Sequence, residues 1–193
     1  YKRQHPSHWL DVRNSIIWCD SRAVEIGNKA YVDLGEKKCI SSLLNSPGNF
    51  TASKLKWVKE NEPEIYDRVY KYMLPGDYIA YKLTGDIKTS KNGLSEGIIW
   101  DYKNENKANW LLDYFGISKK LTPDIISNFT NQGKINSKAS KETGLPIGIP
   151  ITYRAGDQPN NALSLNVFNH GEVAATGGTS GVIYAVTKKL NSK

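Results

Sequence analysis

A chain of 193 residues has room for one domain, or for a domain with a small lobe, and its 39% hydrophobic and 23% charged content suits an ordinary globular core. Lys and Arg outnumber Asp and Glu by 26 to 19, giving a net charge of +7. The cations are scattered, with no dense basic run threaded by aromatics, which reads as a solvated surface with some pull on an anionic cosubstrate rather than as a nucleic-acid binder. No apolar run approaches the ~20 residues of a membrane span. The polar start, Tyr1 to His8, lacks the apolar segment of a signal peptide, and without an initiator Met the chain reads as a fragment. Cys19 and Cys39 form no C-x-x-C pair, so reduced thiols are expected rather than a zinc site or a disulfide.

In chain order, the apolar run Asn14 to Trp18 reads as a short strand. Ala23, Ile26, Ala30 and Leu34 share one face of a helix over 23–34, with Asp20 or Ser21 placed to cap it. Ser46-Pro47-Gly48-Asn49 is a turn, after which Thr51 caps a helix running through Lys54, Leu55, Trp57 and Val58 to the stop at Asn61-Glu62-Pro63. A short helix is expected over 64–69, an alternating strand over 70–74, and a helix over 77–83 that Thr84-Gly85 ends. Residues 106–115 read as a helix closed by Gly116. The stretch 123–148 is looser, with helices near Asp124 and Ser137, and from Ile149 the pattern becomes strand, helix, strand, strand. There is no internal repeat. The mixture predicts an α/β or α+β fold, with a mainly helical lobe over roughly 37–136 on a sheet built from the two ends.

The segment that carries chemistry is Ala155-Gly156-Asp157-Gln158, followed by Gly177-Gly178-Thr179-Ser180-Gly181. Asp157 stands where the apolar run Ile149 to Tyr153 ends and a helix begins, the place at which open α/β sheets bind ligands. Its carboxylate suits the proton of an attacking alcohol. Gln158 adds a neutral donor and acceptor. Gly178, Thr179 and Ser180 offer backbone N–H and hydroxyl groups to phosphate oxygens. A base and a phosphate cradle close in sequence point to phosphoryl transfer to a hydroxyl. Each feature also has a plainer reading, Asp157 as a helix N-cap and the glycine stretch as a hairpin turn. His5, His8 and His170 show no metal-ligand spacing.

Five ordered segments together resemble the FGGY family of carbohydrate kinases. They are Trp18-Cys19-Asp20-Ser21-Arg22, similar to W-x-D-x-R; Asn49-Phe50-Thr51-Ala52-Ser53-Lys54-Leu55-Lys56-Trp57, like the F-[ST]-A-x-K-L-x-W helix start; Leu74-Pro75-Gly76-Asp77-Tyr78 through Leu83-Thr84-Gly85, close to L-P-x-D-Y and L-T-G; the Ala-Gly-Asp-Gln at Asp157; and the Gly-Thr-Ser-Gly at Thr179. The resemblance covers roughly Ser15 to the C-terminus and is nearest in tone to the family's xylulokinases. It implies an α/β, ribonuclease H-like (actin-like ATPase) domain with a helical insertion. This would be the N-terminal kinase domain, residues 1–193, lacking its opening D-x-G-T phosphate and magnesium loop and the second domain. It implies ATP-dependent phosphorylation of a ketopentose, D-xylulose to D-xylulose 5-phosphate, in the cytoplasm by the full-length protein, with ATP and Mg²⁺ as cofactors and residues 1–193 alone inactive. The partner implied is a small sugar, with no nucleic acid and no membrane, and an apolar cut edge that a homodimer would cover.

By the same resemblance Asp157 is the catalytic base and binds sugar with Trp18, Asn49 and Gln158, while Gly178, Thr179 and Ser180 hold ATP; no metal ligand is assigned. Two departures stand out. The M-H-G expected before W-x-D-x-R is absent, Gln4-His5-Pro6 and His8-Trp9 offering histidines without a following Gly, and the T-D expected after L-T-G is Thr89-Ser90. Plainer readings stand beside these roles: Trp18 and Trp57 as core, Asn49 as a turn residue, and Asp20 with Arg22 as a local ion pair worth under ~1 kcal/mol. Ribulose, gluconate and glycerol kinases share the motifs, and a non-catalytic basic binding module is the alternative of a different class.

Overall fold

A computed structural model describes residues 15–177 and 181–189. Helices lead: α1 (Val24–Leu34), α2 (Glu36–Leu43), α3 (Thr51–Asn61), the short α4 (Pro63–Tyr66) and α5 (Pro75–Thr84). Then strand β1 (Lys88–Ser90) runs into α6 (Lys91–Glu96), and β2 (Trp100–Asp101) turns back through β3 (Asn106–Lys107) into α7 (Asn109–Tyr114). After β4 (Asp124–Ile126) come α8 (Ser137–Thr143), α9 (Asp157–Ser164), β5 (Val173–Thr176) and β6 (Val182–Ala185). The main core gathers Leu43 of α2, Leu94 of α6, Ile99, and Leu111, Leu112 and Phe115 around α7, all nearly sealed from water. Each such side chain contributes about 1.5–3 kcal/mol by burial. This core fixes both ends of α6, the helix on which the candidate site hangs.

Local chemistry explains most boundaries. Pro75 occupies the first turn of α5, where its missing N–H costs nothing, and Gly85 ends the helix in the left-handed region with its N–H on the Tyr81 carbonyl at 2.7 Å. The Ser90 hydroxyl accepts the Gly93 N–H at 3.2 Å and caps α6. Serine thus does at this position what the aspartate of the expected T-D pair can do, since both are strong caps. Asn136 caps α8 through the Ala139 N–H at 2.8 Å.

Several expectations are corrected. Residues 15–18 form no strand: Asp20 N–H closes a turn on the Ile17 carbonyl at 3.2 Å, and the Lys54 ammonium takes the Ile17 and Trp18 carbonyls that a neighbouring strand would need. Neither Asp20 nor Ser21 caps α1, because Arg22 occupies both Asp20 oxygens; Ala23 stands at the cap. Phe50, not Thr51, is the cap residue of α3. Residues 70–74 form no strand, the Tyr72 N–H alone bridging to the Leu121 carbonyl, and Pro75 holds Leu74 extended. The helix expected from 106 starts at Asn109, since Asn106 and Lys107 pair with β2. Around Asp124 the β-branched Ile125-Ile126 run pairs in parallel with β1 instead of forming a helix. Helix α2 escaped the sequence reading, although Cys39 and Leu43 lie four apart and are both buried. Among the described residues the strands form three two-stranded ladders, β1–β4, β2–β3 and β5–β6, and not one sheet made from the chain's two ends.

The segment before Asp157 is extended. Ile149 and Ile151 exchange backbone hydrogen bonds with residues 132–135, at 2.7 Å for Gln132 N–H to the Ile151 carbonyl and 2.8 Å for the return bond from Ile151 N–H to Gly133. Beyond Asp157, α9 packs on β5 with Ala162 and Ala174 buried.

Candidate active site

The first half of the site is a knot of two sequence motifs. Arg22 donates to both oxygens of Asp20, at 2.9 Å from Nε and 2.7 Å from Nη2, and its guanidinium lies 4.5 Å from the centre of the Trp57 ring. These hydrogen bonds hold the Asp20 carboxyl down at about 2. The Asn49 amide donates to the Asp20 carbonyl, while its Oδ1 is buried with no hydrogen-bond partner among the described residues. Lys54 grips the Ile17 carbonyl at 2.7 Å and the Trp18 carbonyl at 3.3 Å. With its backbone so held, the Trp18 side chain is 88% exposed. Trp18 is therefore not core, and Trp57 is a half-buried platform for Arg22. Helix α1 comes so close to the turn that a Cβ on Gly27 would stand 1.7 Å from the Gly48 carbonyl oxygen.

The second half is the Asp157 loop. Asp157 is the first residue of α9, exposed, with Gly156 at the cap position. It does not cap the helix: its Oδ1 takes the neighbouring Gln158 N–H at 3.0 Å, and the Gln158 amide approaches Oδ2 at 3.4 Å. Asn160 donates to the Ala155 and Gly156 carbonyls at 3.0 and 2.8 Å, and Glu96 accepts the Gly156 N–H at 2.8 Å. Behind the loop Arg154 is buried, bonding Gln132 Oε1 and the Lys88 carbonyl at 2.8 Å each and meeting Asp77 at 3.4 Å. Burial pushes the Asp77 carboxyl up, against the lowering effects of Thr89 and Arg154.

The C-terminus of α6 joins the halves. Glu96 holds Gly156, and the next residue, Gly97, lies so close to α3 that a Cβ there would stand 2.9 Å from Thr51 Oγ1, two residues from Asn49. Of the site residues read from sequence, the structure thus ties Trp18 to Asn49 through Asp20 and Lys54, and links them to Asp157 and Gln158 through Glu96–Gly97. Gly178, Thr179 and Ser180 lie outside the described residues. Sequence reasoning missed Glu96, Lys54 and Arg154. Lys54 sits inside a quoted motif, but nothing along the chain signals the partners of Glu96 or Arg154.

Comparison with known proteins decides the family. A model of the FGGY family of carbohydrate kinases, N-terminal domain, matches residues 10–164. The chain belongs to that family. It is 30% identical over 180 residues to the xylulose kinase of Staphylococcus xylosus, covering 91% of this chain and 36% of that relative. Its fold matches a solved xylulose kinase from Brucella ovis with a TM-score of 0.82 at 25% identity, covering 92% of this chain and 36% of that one. The Rhodospirillum rubrum xylulose kinase matches with a TM-score of 0.84 at 22% identity, covering 90% and 36%. The fold is accordingly the ribonuclease H-like, actin-like ATPase fold, and the chain spans about a third of the length of these relatives.

Other features stand apart from this site. A groove of about 650 Å³ between Arg68, Tyr70, Lys107, Lys120 and Asp124 carries several cations, of which Lys71 and Lys107 donate to backbone carbonyls and Lys119 pairs with Asp113. Cys19 is exposed and Cys39 buried, and neither is in a disulfide. No helix among the described residues is long and apolar enough to cross a membrane.

Proposed function

We propose that the full-length protein is an ATP-dependent ketopentose kinase acting on D-xylulose, with this chain forming its N-terminal domain and residues 37–136 a mainly helical lobe. The observation that carries the proposal is an exposed carboxylate, Asp157, at an extended-chain-to-helix junction tied through α6 to Asn49 and the exposed Trp18. In this reading Trp18 gives the sugar an aromatic wall, Asn49 lines the same pocket, and Gln158 orients the attacking hydroxyl. Asp157 takes the proton of that hydroxyl as its oxygen attacks the γ-phosphorus. Gly178, Thr179 and Ser180 would hold ATP.

Among the described residues no group of three or more His, Cys, Asp or Glu side chains could hold a metal ion, so Mg²⁺ would enter with the phosphates of ATP, keeping most of its water. When bound, the ion neutralises charge on the transferring phosphoryl group. The chain's likeness to the Staphylococcus xylosus xylulose kinase supports D-xylulose as the first substrate to try.

The test is a coupled ADP-release assay on the full-length protein with a panel of these substrates. Asp157→Asn is expected to lower turnover by about 10²–10⁴-fold while leaving sugar binding largely intact. Near-normal turnover in that variant would sink the assignment of Asp157, and a faster reaction with another sugar or polyol would replace xylulose.

A further inference from the structure

We propose that Glu96 is a positioning residue for Asp157: its carboxylate clamps the backbone at Gly156 and sets a second negative charge against the base. The inference rests on Asp157 being that base.

The first argument is an unfilled helix cap. Gly156 holds the cap position of α9 and has no side chain to offer. In a capping box, a Glu or Gln three residues after the cap reaches back to the cap residue's N–H. That position here is Pro159, which cannot do so. Glu96 supplies the missing carboxylate from another helix, its Oε1 accepting the Gly156 N–H at 2.8 Å. A hydrogen bond to an ionised acceptor is the stronger kind.

The second argument is fit. A Cβ on Gly156 would stand 2.3 Å from Glu96 Oε2 and 2.9 Å from Cδ. Only glycine lets the carboxylate lie this close to the chain. The backbone that carries Glu96 is held firmly, as the end of α6, while its exposed side chain is tied at the carboxylate by the Gly156 N–H. Ser90 caps the start of that helix, Leu94 is buried within it, and the Gly97 that follows abuts Thr51. A shift of Asp157 therefore requires this clamp to give.

The third argument is charge. Asp157 on α9, Asp77 on α5 and the Tyr153 ring in the extended segment face Glu96. Desolvation pushes the Glu96 carboxyl up, the Gly156 N–H pulls it down, and the charges of Asp157 and Asp77 push it up again. Arg154, two residues before Gly156, pairs with Asp77 at 3.4 Å.

The experiment compares Glu96→Ala, Glu96→Gln and Asp157→Asn in the full-length protein. Ala removes both clamp and charge, whereas Gln keeps an acceptor for Gly156 and removes only the charge. Glu96→Ala is expected to lower kcat by about 10–10²-fold with a smaller change in sugar KM, the scale of a misplaced catalytic group. Glu96→Gln is expected to recover most of kcat. Hydrogen exchange at the Gly156 to Gln158 amides should quicken in the Ala variant and stay near wild type in the Gln variant. Wild-type kcat in Glu96→Ala, where Asp157→Asn is inactive, overturns the inference. So does Glu96→Gln as poor as Ala although its Gly156 to Gln158 amides exchange as slowly as in wild type, since the clamp would then be intact without positioning the base. If Asp157→Asn stays active, the reading of the base fails instead, and the exchange rates decide the clamp by themselves.

Discussion

Gly27→Ala sets helix propensity against packing, and the structure decides which wins. In an exposed helix interior the change is favourable by about 1 kcal/mol, because alanine has less backbone freedom to lose. At Gly27 the new Cβ would stand 1.7 Å from the Gly48 oxygen, 2.4 Å from its carbonyl carbon and 2.6 Å from its Cα. Real Cβ atoms essentially never come within 3.0 Å of a neighbour, and these neighbours are backbone, with no side-chain end to swing aside. The turn must retreat by more than an ångström. It is held by the Phe50 N–H and the Ser53 hydroxyl on the Pro47 carbonyl, at 3.2 Å each, and by Gly48 N–H on Ser46 Oγ at 3.1 Å. Overpacking costs about 1–3 kcal/mol, and a rigid backbone obstacle belongs at the upper end. Net of the propensity gain, the variant should lose about 2 kcal/mol. Because Asn49 follows Gly48 directly, sugar KM should rise as well. Urea unfolding and sugar titration of the full-length protein measure both effects. A variant as stable as wild type, or stabilised by the propensity term, would refute the close approach of α1 to the turn and the placement of Asn49 that depends on it.

Arg154→Met leaves Asp77, only 3% exposed, without its cation, and should cost about 3–5 kcal/mol by urea unfolding; adding Asp77→Leu should recover most of it, and an unaltered single variant would show that the pair carries no such burden. Asp20 titrates at about 2 when folded against an ordinary 3.8, so its contribution is whole above about pH 4 and fades as pH falls toward 2. The stability difference between wild type and Asp20→Asn should therefore be flat at neutral pH and close below pH 4; a difference that persisted at pH 2 would contradict the Arg22 pairing. Lys54→Ala frees the Ile17 and Trp18 carbonyls and should raise sugar KM with little loss of kcat, read in the same ADP-release assay. A lowered kcat at unchanged KM would place Lys54 elsewhere in the reaction.

The sequence by itself determined what short-range chemistry controls. Gly85 ends α5, the apolar spacing marks α1, and the Gly156-Asp157 junction opens α9, because caps and helical periodicity act within a few residues. The same locality let the five ordered segments carry the family resemblance. Tertiary structure decided the rest. The run 15–18 had strand character but met a lysine from α3 instead of a neighbouring strand, and Ile125-Ile126 became a strand because β1 stood beside it. Glu96 reads as one more charged residue at a helix end, and its role comes from Gly156, sixty positions along the chain. Trp18, preceded by two isoleucines, looked apolar enough for the core and is exposed because its backbone, not its ring, is what the fold holds. Local propensity is written in neighbouring residues, whereas a carboxylate's partner depends on which helices the burial of Leu43, Leu94 and Phe115 draws together.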